Sequence, residues 1–170
     1  NLPVERVPLA AGGRHTCLLT PRGEGRCFGG NERGQLGDGG DAGGAADARV
    51  AGTFQFAAIA AGSSHSCGVT RDGGLFCWGA NDRGQLGDAT TTPRDAPVRV
   101  VADAAFRAVR LGSSHSCALT RTGEVLCWGS NARGQLGDGT TTDHYVPTPV
   151  AAPAGHYFTN IAVGWNHSCA

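Results

Sequence analysis

One motif about 50 residues long follows itself three times along this chain and begins a fourth time before Ala170. The segment GSSHSCGVTR from Gly62 to Arg71 recurs as GSSHSCALTR from Gly112 to Arg121. It recurs more loosely as GGRHTCLLT from Gly12 to Thr20, and finally as GWNHSCA from Gly164 to Ala170. His15, His65, His115 and His167 are spaced 50, 50 and 52 residues apart. Downstream, CWGANDRGQLGD from Cys77 to Asp88 matches CWGSNARGQLGD from Cys127 to Asp138 and CFGGNERGQLGD from Cys27 to Asp38. Strict self-similarity at such a period restricts the fold to a solenoid, a propeller or another repeat array, because each copy must bury its apolar face against the next.

Within a copy, short apolar stretches are broken by Gly, Asn, Asp and Pro, and no segment of helical length carries a 3.6-residue stripe with caps. The pattern predicts all-β structure with four strands per copy. In the third copy these are Arg107 to Leu111, His115 to Thr120, Glu124 to Trp128 and an outer strand near Pro147 to Val150. The loop Arg121-Thr122-Gly123 suits a hairpin with Gly in the left-handed position. Four strands per repeat fit a propeller blade of antiparallel strands better than a sandwich, which has no reason to repeat its sequence. Kelch repeats have a similar period, but a Gly doublet at the matching place occurs once, at Gly29 and Gly30. The expectation is one partial propeller over residues 1–170. Its blades fall at approximately 1–50, 51–100 and 101–150, with a truncated fourth at 151–170, about three and a half blades in an incomplete ring.

Gly-x-x-His-Ser-x-Ala-Leu-Thr, then Gly-x-Val-x-x-Trp-Gly-x-Asn-x-x-Gly-Gln-Leu-Gly-x-Gly, resembles the regulator of chromosome condensation repeat, in a bacterial disulfide-containing variant. The resemblance implies a seven-bladed propeller and a structural position for the histidine; three and a fraction blades cannot close such a ring. It also implies two activities, guanine nucleotide exchange on a small GTPase with chromatin binding, and inhibition of an enzyme such as a β-lactamase.

Each full copy holds a Cys-x9-Cys pair: Cys17 with Cys27, Cys67 with Cys77, Cys117 with Cys127. In a hairpin centred on Thr122, Cys117 and Cys127 are equidistant from the centre and face one another. A non-hydrogen-bonded pair places their Cα atoms about 4.5 Å apart, suited to a disulfide. Each bridge stabilises by roughly 2 to 3 kcal/mol on the chain-entropy model and points to an oxidising compartment, extracellular or in the cell envelope. Cys169 is then unpaired, its expected partner lying about ten residues past Ala170 by the repeat's own spacing. The competing reading makes His115, Cys117 and Cys127 zinc ligands. A structural zinc wants a fourth ligand and short Cys-x2-Cys spacing, so no metal is expected.

Charge narrows the partners. Fourteen acidic residues balance 14 basic ones, all Arg, as suits a GC-rich genome, and no block of like charge forms. Nucleic acid is therefore not an expected partner. No apolar stretch is long enough to span a bilayer, and a chain that opens at Asn1 and contains no Met reads as processed or as a piece of a longer one.

The GQLGD segments at Gly34, Gly84 and Gly134 lack the ending of a phosphate loop. Asp38, Asp88 and Asp138 supply too few oxygens for calcium, so turn hydrogen bonding is expected. Phe28, Trp78 and Trp128 share one repeat position and are expected to pack between blades. Arg33, Arg83 and Arg133 recur in register and form an arc near one rim, able to meet an acidic partner or to cover the neighbouring blade. The loops Gly39 to Arg49, Thr90 to Asp95 and Thr140 to Tyr145 differ between copies, the last ending in His144 and Tyr145, and Trp165 stands where other copies have Ser or Gly. These six residues, Arg33, Arg83, Arg133, His144, Tyr145 and Trp165, are the candidate interaction surface. A His-Ser-Cys or His-Thr-Cys cluster recurs in every copy, but neighbours such as Ser66 and Cys67 face opposite ways along a strand. No catalytic residue and no cofactor is expected. The reading is a non-catalytic, secreted or envelope-associated scaffold that binds a protein or further propeller blades.

Overall fold

The computed structural model describes residues 8–40, 43–153 and 155–170. Fourteen strands lie among them, and no helix. The first sheet is β1 (Leu9–Ala11), β2 (His15–Leu19), β3 (Gly25–Gly29) and β4 (Ala45–Arg49). The second is β5 (Phe56–Ala61), β6 (His65–Thr70), β7 (Leu75–Gly79) and β8 (Arg94–Arg99). The third is β9 (Phe106–Leu111), β10 (His115–Thr120), β11 (Val125–Gly129) and β12 (His144–Pro149). A two-stranded piece follows, β13 (Ala162–Val163) with β14 (Ser168–Cys169). Each four-stranded sheet is an antiparallel meander in chain order.

β1 packs on β5, β5 on β9 and β9 on β13, so the first strand of each sheet lies innermost. The strands β4, β8 and β12 form the outer edges. This is the arrangement of propeller blades around an axis, and three blades with a two-stranded fourth do not close the ring.

Residue patterning explains the stacking. In β2 burial alternates, with His15, Cys17 and Leu19 buried and Thr16 and Leu18 between them only half covered. In β6 all six residues are buried, because a blade lies on either side. The apolar core is accordingly divided among the seams. Cys17, Leu19, Cys27 and Leu36 meet Phe56, Ile59 and Trp78 of the second blade. Cys67, Val69, Leu75 and Leu86 meet Phe106, Val109 and Trp128 of the third. Leu119, Val125 and Leu136 meet Ile161 and Phe158. The apolar side chains of a blade are thus buried against its neighbours, at about 25 cal/mol per Å² of apolar area.

The hairpin register places Cys117 opposite Cys127, Cys67 opposite Cys77 and Cys17 opposite Cys27, and all three pairs are disulfides with Cα atoms 4.1 Å apart. Gly123 takes the left-handed turn position at φ 90°. The outer strand of the third blade starts earlier than its Pro content implies. A bulge between Cys127 and Gly129 lets pairing continue to His144, so β12 runs from His144 to Pro149 instead of from Pro147 to Val150.

Candidate interaction surface

Antiparallel order puts the loops between first and second strands, and those between third and fourth strands, at the same end of every blade. The Gly-x-x-His loops and the GQLGD turns therefore share one face of the array, with the first near the axis and the second toward the rim. All six candidate surface residues are brought to this end.

The rim is built from a turn that repeats atom for atom. Asn31, Asn81 and Asn131 are fully buried, and each accepts the Leu amide five residues on, at 3.0 Å, through its side-chain oxygen. The Asn81 and Asn131 amide nitrogens donate to Asp88 and Asp138 at 3.1 Å, and that of Asn31 reaches Asp38 at 3.4 Å. Gln35, Gln85 and Gln135 accept the backbone amides of Arg33, Arg83 and Arg133 at 2.8 to 2.9 Å. The recurring Asp is thus a turn residue. Burial alone would raise the Asp138 carboxyl, but hydrogen bonds from Thr140, His144 and Asn131 outweigh it and hold it at about 2. Among the described residues no group of three or more His, Cys, Asp or Glu side chains is placed to hold a metal.

The arginine arc is partly neutralised by its own chain. Arg33 pairs with Asp82 of the next blade. At the equivalent place the third blade has Ala132, and Arg83 turns instead to Asp143 at 3.4 Å. Arg133 is exposed, and its guanidinium has no ion-pair or hydrogen-bond partner among the described residues. His144 lies 2.7 Å from Asp138, the place Arg94 takes beside Asp88 in the second blade at 2.8 Å. Tyr145, 46% exposed, lies over Gly84 of the preceding blade, and its carbonyl accepts the Ala89 amide at 3.0 Å. In the first loop, Asp41 and Ala42 lie outside the described residues.

Near the axis the Gly-x-x-His loops are stitched together. Gly13 donates to the Gly62 carbonyl at 3.0 Å, Ser63 to Gly112 at 3.3 Å and Ser113 to Trp165 at 3.0 Å. Around them lies an open cavity of about 290 Å³ lined by Ala11, Ala61, Leu111, Val163 and Trp165. Trp165 is 64% exposed. It is a large apolar side chain at the one loop position where the other blades carry Gly13, Ser63 and Ser113.

Trp78 and Trp128, by contrast, are fully buried between blades, each donating its indole N–H to the carbonyl of Gln35 or Gln85 at 3.0 and 2.9 Å. Gly87 of the GQLGD turn makes room for the indole: at φ 69°, a Cβ there would fall 2.7 Å from the Trp128 Nε1. Phe28, with no blade described on its outer side, is only half covered.

The serines and histidines of the repeat meet across seams. Ser66 bonds His15 of the preceding blade at 2.7 Å, an approach between copies that the spacing within one copy does not show. Ser66 is fully buried and His15 is 3% exposed, so this pair cannot reach a substrate. A second arginine series also escapes a reading of the motif alone. On the opposite end of the blades Arg71 reaches the Arg22 carbonyl at 3.5 Å and Arg121 the Arg71 carbonyl at 2.8 Å, tying successive hairpins together. Its signal in the sequence is the recurrence of Arg71 and Arg121 in register at the hairpin tips, where the first copy has Pro21. Cys169 is an exposed free thiol on β14.

Comparison with known proteins agrees with this geometry. A family model described as the Regulator of chromosome condensation (RCC1) repeat matches residues 72–119 and 122–170, and a second of the same description matches residues 9–35, 56–85 and 106–135. Yeast RCC1 (Prp20), in its complex with Kap60, superposes with a TM-score of 0.86 at 25% identity, over 94% of this chain and 40% of that one. Prp20p of Saccharomyces cerevisiae, characterised for its binding to Gsp1p and histones, gives 0.82 at 25% identity, over 94% of this chain and 41% of that one. Human WBSCR16 shares the fold, with a TM-score of 0.70 at 21% identity over 97% of this chain and 57% of that one. The chain thus spans about two fifths of the length of the yeast structures. No curated protein sequence matches it significantly.

Proposed function

This chain belongs to the regulator of chromosome condensation repeat family, and on that premise we propose that it is a non-catalytic scaffold that binds a protein partner, in an extracellular or envelope setting. The observation that carries the reading is Trp165. The Asn, Gln, His and Cys residues that repeat in the three full blades are engaged inside the blades or in their turns, whereas this ring stands 64% exposed at the axial mouth of the stacked blades. Exposed aromatic residues on such frames are frequent anchors of interfaces. Arg133, exposed on the same end, favours an acidic partner surface. The three disulfides support an oxidising compartment.

The test is photo-crosslinking in the native host from a probe residue at Trp165 and at Arg133, with a probe at Val101 as control. A discrete protein adduct from the first two and not the third is expected. If the chain is always recovered alone, the scaffold reading is wrong.

A second reading, nucleotide exchange on a small GTPase, is favoured by the likeness to yeast Prp20. It predicts faster nucleotide release from a small GTPase, and its absence across a panel removes it. Inhibition of a β-lactamase, the remaining family activity, is decided by a hydrolysis assay with the purified protein.

A further inference from the structure

We propose that the seams between blades form an acid-operated latch, in which a buried neutral histidine of one blade holds a serine hydroxyl of the next, and the seam parts because it cannot house the charge and the second N–H that the ring gains on protonation. The same contact occurs at three successive seams. His15 Nε2 lies 2.7 Å from Ser66 Oγ, His65 Nε2 3.0 Å from Ser116 Oγ, and His115 Nε2 3.0 Å from Ser168 Oγ. At the first two, the serine hydroxyl donates onward to a carbonyl of the blade it came across to, Ser66 to Gln35 at 3.0 Å and Ser116 to Gln85 at 2.8 Å. Because the one hydroxyl hydrogen is committed there, the imidazole Nε2 must carry its own hydrogen and donate it. Nδ1 is then bare. The Nδ1 atoms of His15, His65 and His115 are all buried and without a hydrogen-bond partner. The Gln35 and Gln85 carbonyls also take the indole N–H of Trp78 and Trp128, so the relay and the tryptophan hold one seam together at one acceptor.

Protonation adds a hydrogen at Nδ1, which has no partner in the closed seam, and a charge among Cys, Leu, Val and Trp; at the third seam a backbone hydrogen bond with His167 favours the charged His115, and burial outweighs it. Among the described residues no carboxylate bears on the rings. The titratable groups that bear on His65 are His15 and His115, and His167 bears on His115. Of the strands packed on β2, β6 and β10, only β3 and β9 carry other charges. Arg26 is bound to Asp47 at 2.8 Å; Arg107 donates to the Phe158 and Thr159 carbonyls and Arg110 to the Val109 carbonyl. Arg14, beside His15, is turned outward to Glu32 at 4.0 Å. Burial, aided by its neighbouring histidines, pushes His65 down to about 3, and burial pushes His15 and His115 to about 4. These values lie below the ordinary 6.5, so the closed seam favours the neutral ring. Its stability is complete above about pH 6.5 and is lost as the pH falls toward 4, where the open state takes up protons first.

The experiment follows the oxidised protein from pH 8 to pH 4 by tryptophan emission and far-ultraviolet circular dichroism. Emission should shift to the red between about pH 6 and 4, more steeply than one proton allows, while the dichroism of the disulfide-bridged hairpins persists. His65→Gln keeps a donor toward Ser116 and has no proton to gain, so its transition should lie about half a pH unit lower and be less steep. Should that variant fail to fold, nuclear magnetic resonance of the imidazole Cε1–H signals in the unaltered protein gives the answer. Rings that titrate below about pH 5, together with the emission change, support the latch, and rings that titrate near 6.5 overturn it. Emission unchanged down to pH 4, dichroism lost in step with emission, or a His65→Gln transition identical to the unaltered one also overturns it.

Discussion

Replacing one bridge tests whether the disulfides hold the blades or merely decorate them. Cys67 and Cys77 are ten residues apart and fully buried in the core of the second seam. A closed loop of that length removes about 9 cal/mol/K from the unfolded chain, or about 2.7 kcal/mol at 25 °C. Three such bridges sum to about 8 kcal/mol, against a typical total stability of 5 to 15 kcal/mol. The perturbation is the double variant Cys67→Ala with Cys77→Ala, compared with the unaltered protein after unfolding, complete reduction and refolding in reductant. Urea unfolding at pH 7.5 is followed by the emission of the buried Trp78 and Trp128. With an m-value of about 2 kcal/mol/M, the double variant should unfold about 1.4 M earlier, and the fully reduced protein should be marginal or unfolded. Mass spectrometry before and after reduction must show a gain of two hydrogens per bridge. A shift below about 0.5 M for the double variant, or a reduced protein as stable as the oxidised one, refutes the reasoning. An oxidising compartment would then lose its main support.

Other perturbations separate the parts of the seam and the turn. Trp128→Phe removes the indole donor to Gln85 and leaves a void, and should cost about 2 kcal/mol in the same urea assay, whereas Trp165→Ala should stay within about 0.5 kcal/mol. Gly87→Ala puts a methyl group on the Trp128 indole at a positive φ and should cost about 3 kcal/mol or more. Gly139→Ala, at φ 82° but with nothing within 4 Å, should cost about 1 kcal/mol, the left-handed penalty alone. The Asp138 carboxyl, held at about 2 against 3.8 when free, contributes stability that is present above about pH 4 and is lost between about pH 4 and 2. Carboxyl carbon resonances followed by pH measure this directly. Asp138→Ala should destabilise more than Asp38→Ala, because the first blade has Gly40 and Gly44 where the third has Thr140 and His144.

Much of the blade is legible from the repeat alone. Counting outward from Thr122 places Cys117 opposite Cys127, since a hairpin register follows from its turn, and the structure has that pair. The outer strand was harder to place. Its start depends on a bulge after Cys127, and a bulge leaves no periodic trace where Pro147 and Pro149 interrupt the alternation. The six surface candidates are named from the sequence as departures from the repeat or as arginines recurring in register. Which carboxylate each arginine takes was not readable, because it turns on what the next blade brings within reach, Asp82 for Arg33 and Asp143 for Arg83. The ladder of Arg71 and Arg121 at the hairpin tips leaves little trace in the motif for a related reason: its acceptors are carbonyls, which every residue has.

The sequence by itself determined the unit: four strands, a bridged central hairpin, a tight GQLGD turn, and the repetition that obliges each unit to stack on another. Those features depend on contacts within about 50 residues, whose spacing is written in the chain. Only the tertiary structure decided what faces what across a seam. Ser66 and Cys67 are neighbours in sequence, yet one bonds a histidine of the first blade while the other lies in the core shared with the third. The physical reason is that a strand held between two blades buries both of its faces, so alternation no longer marks inside from outside.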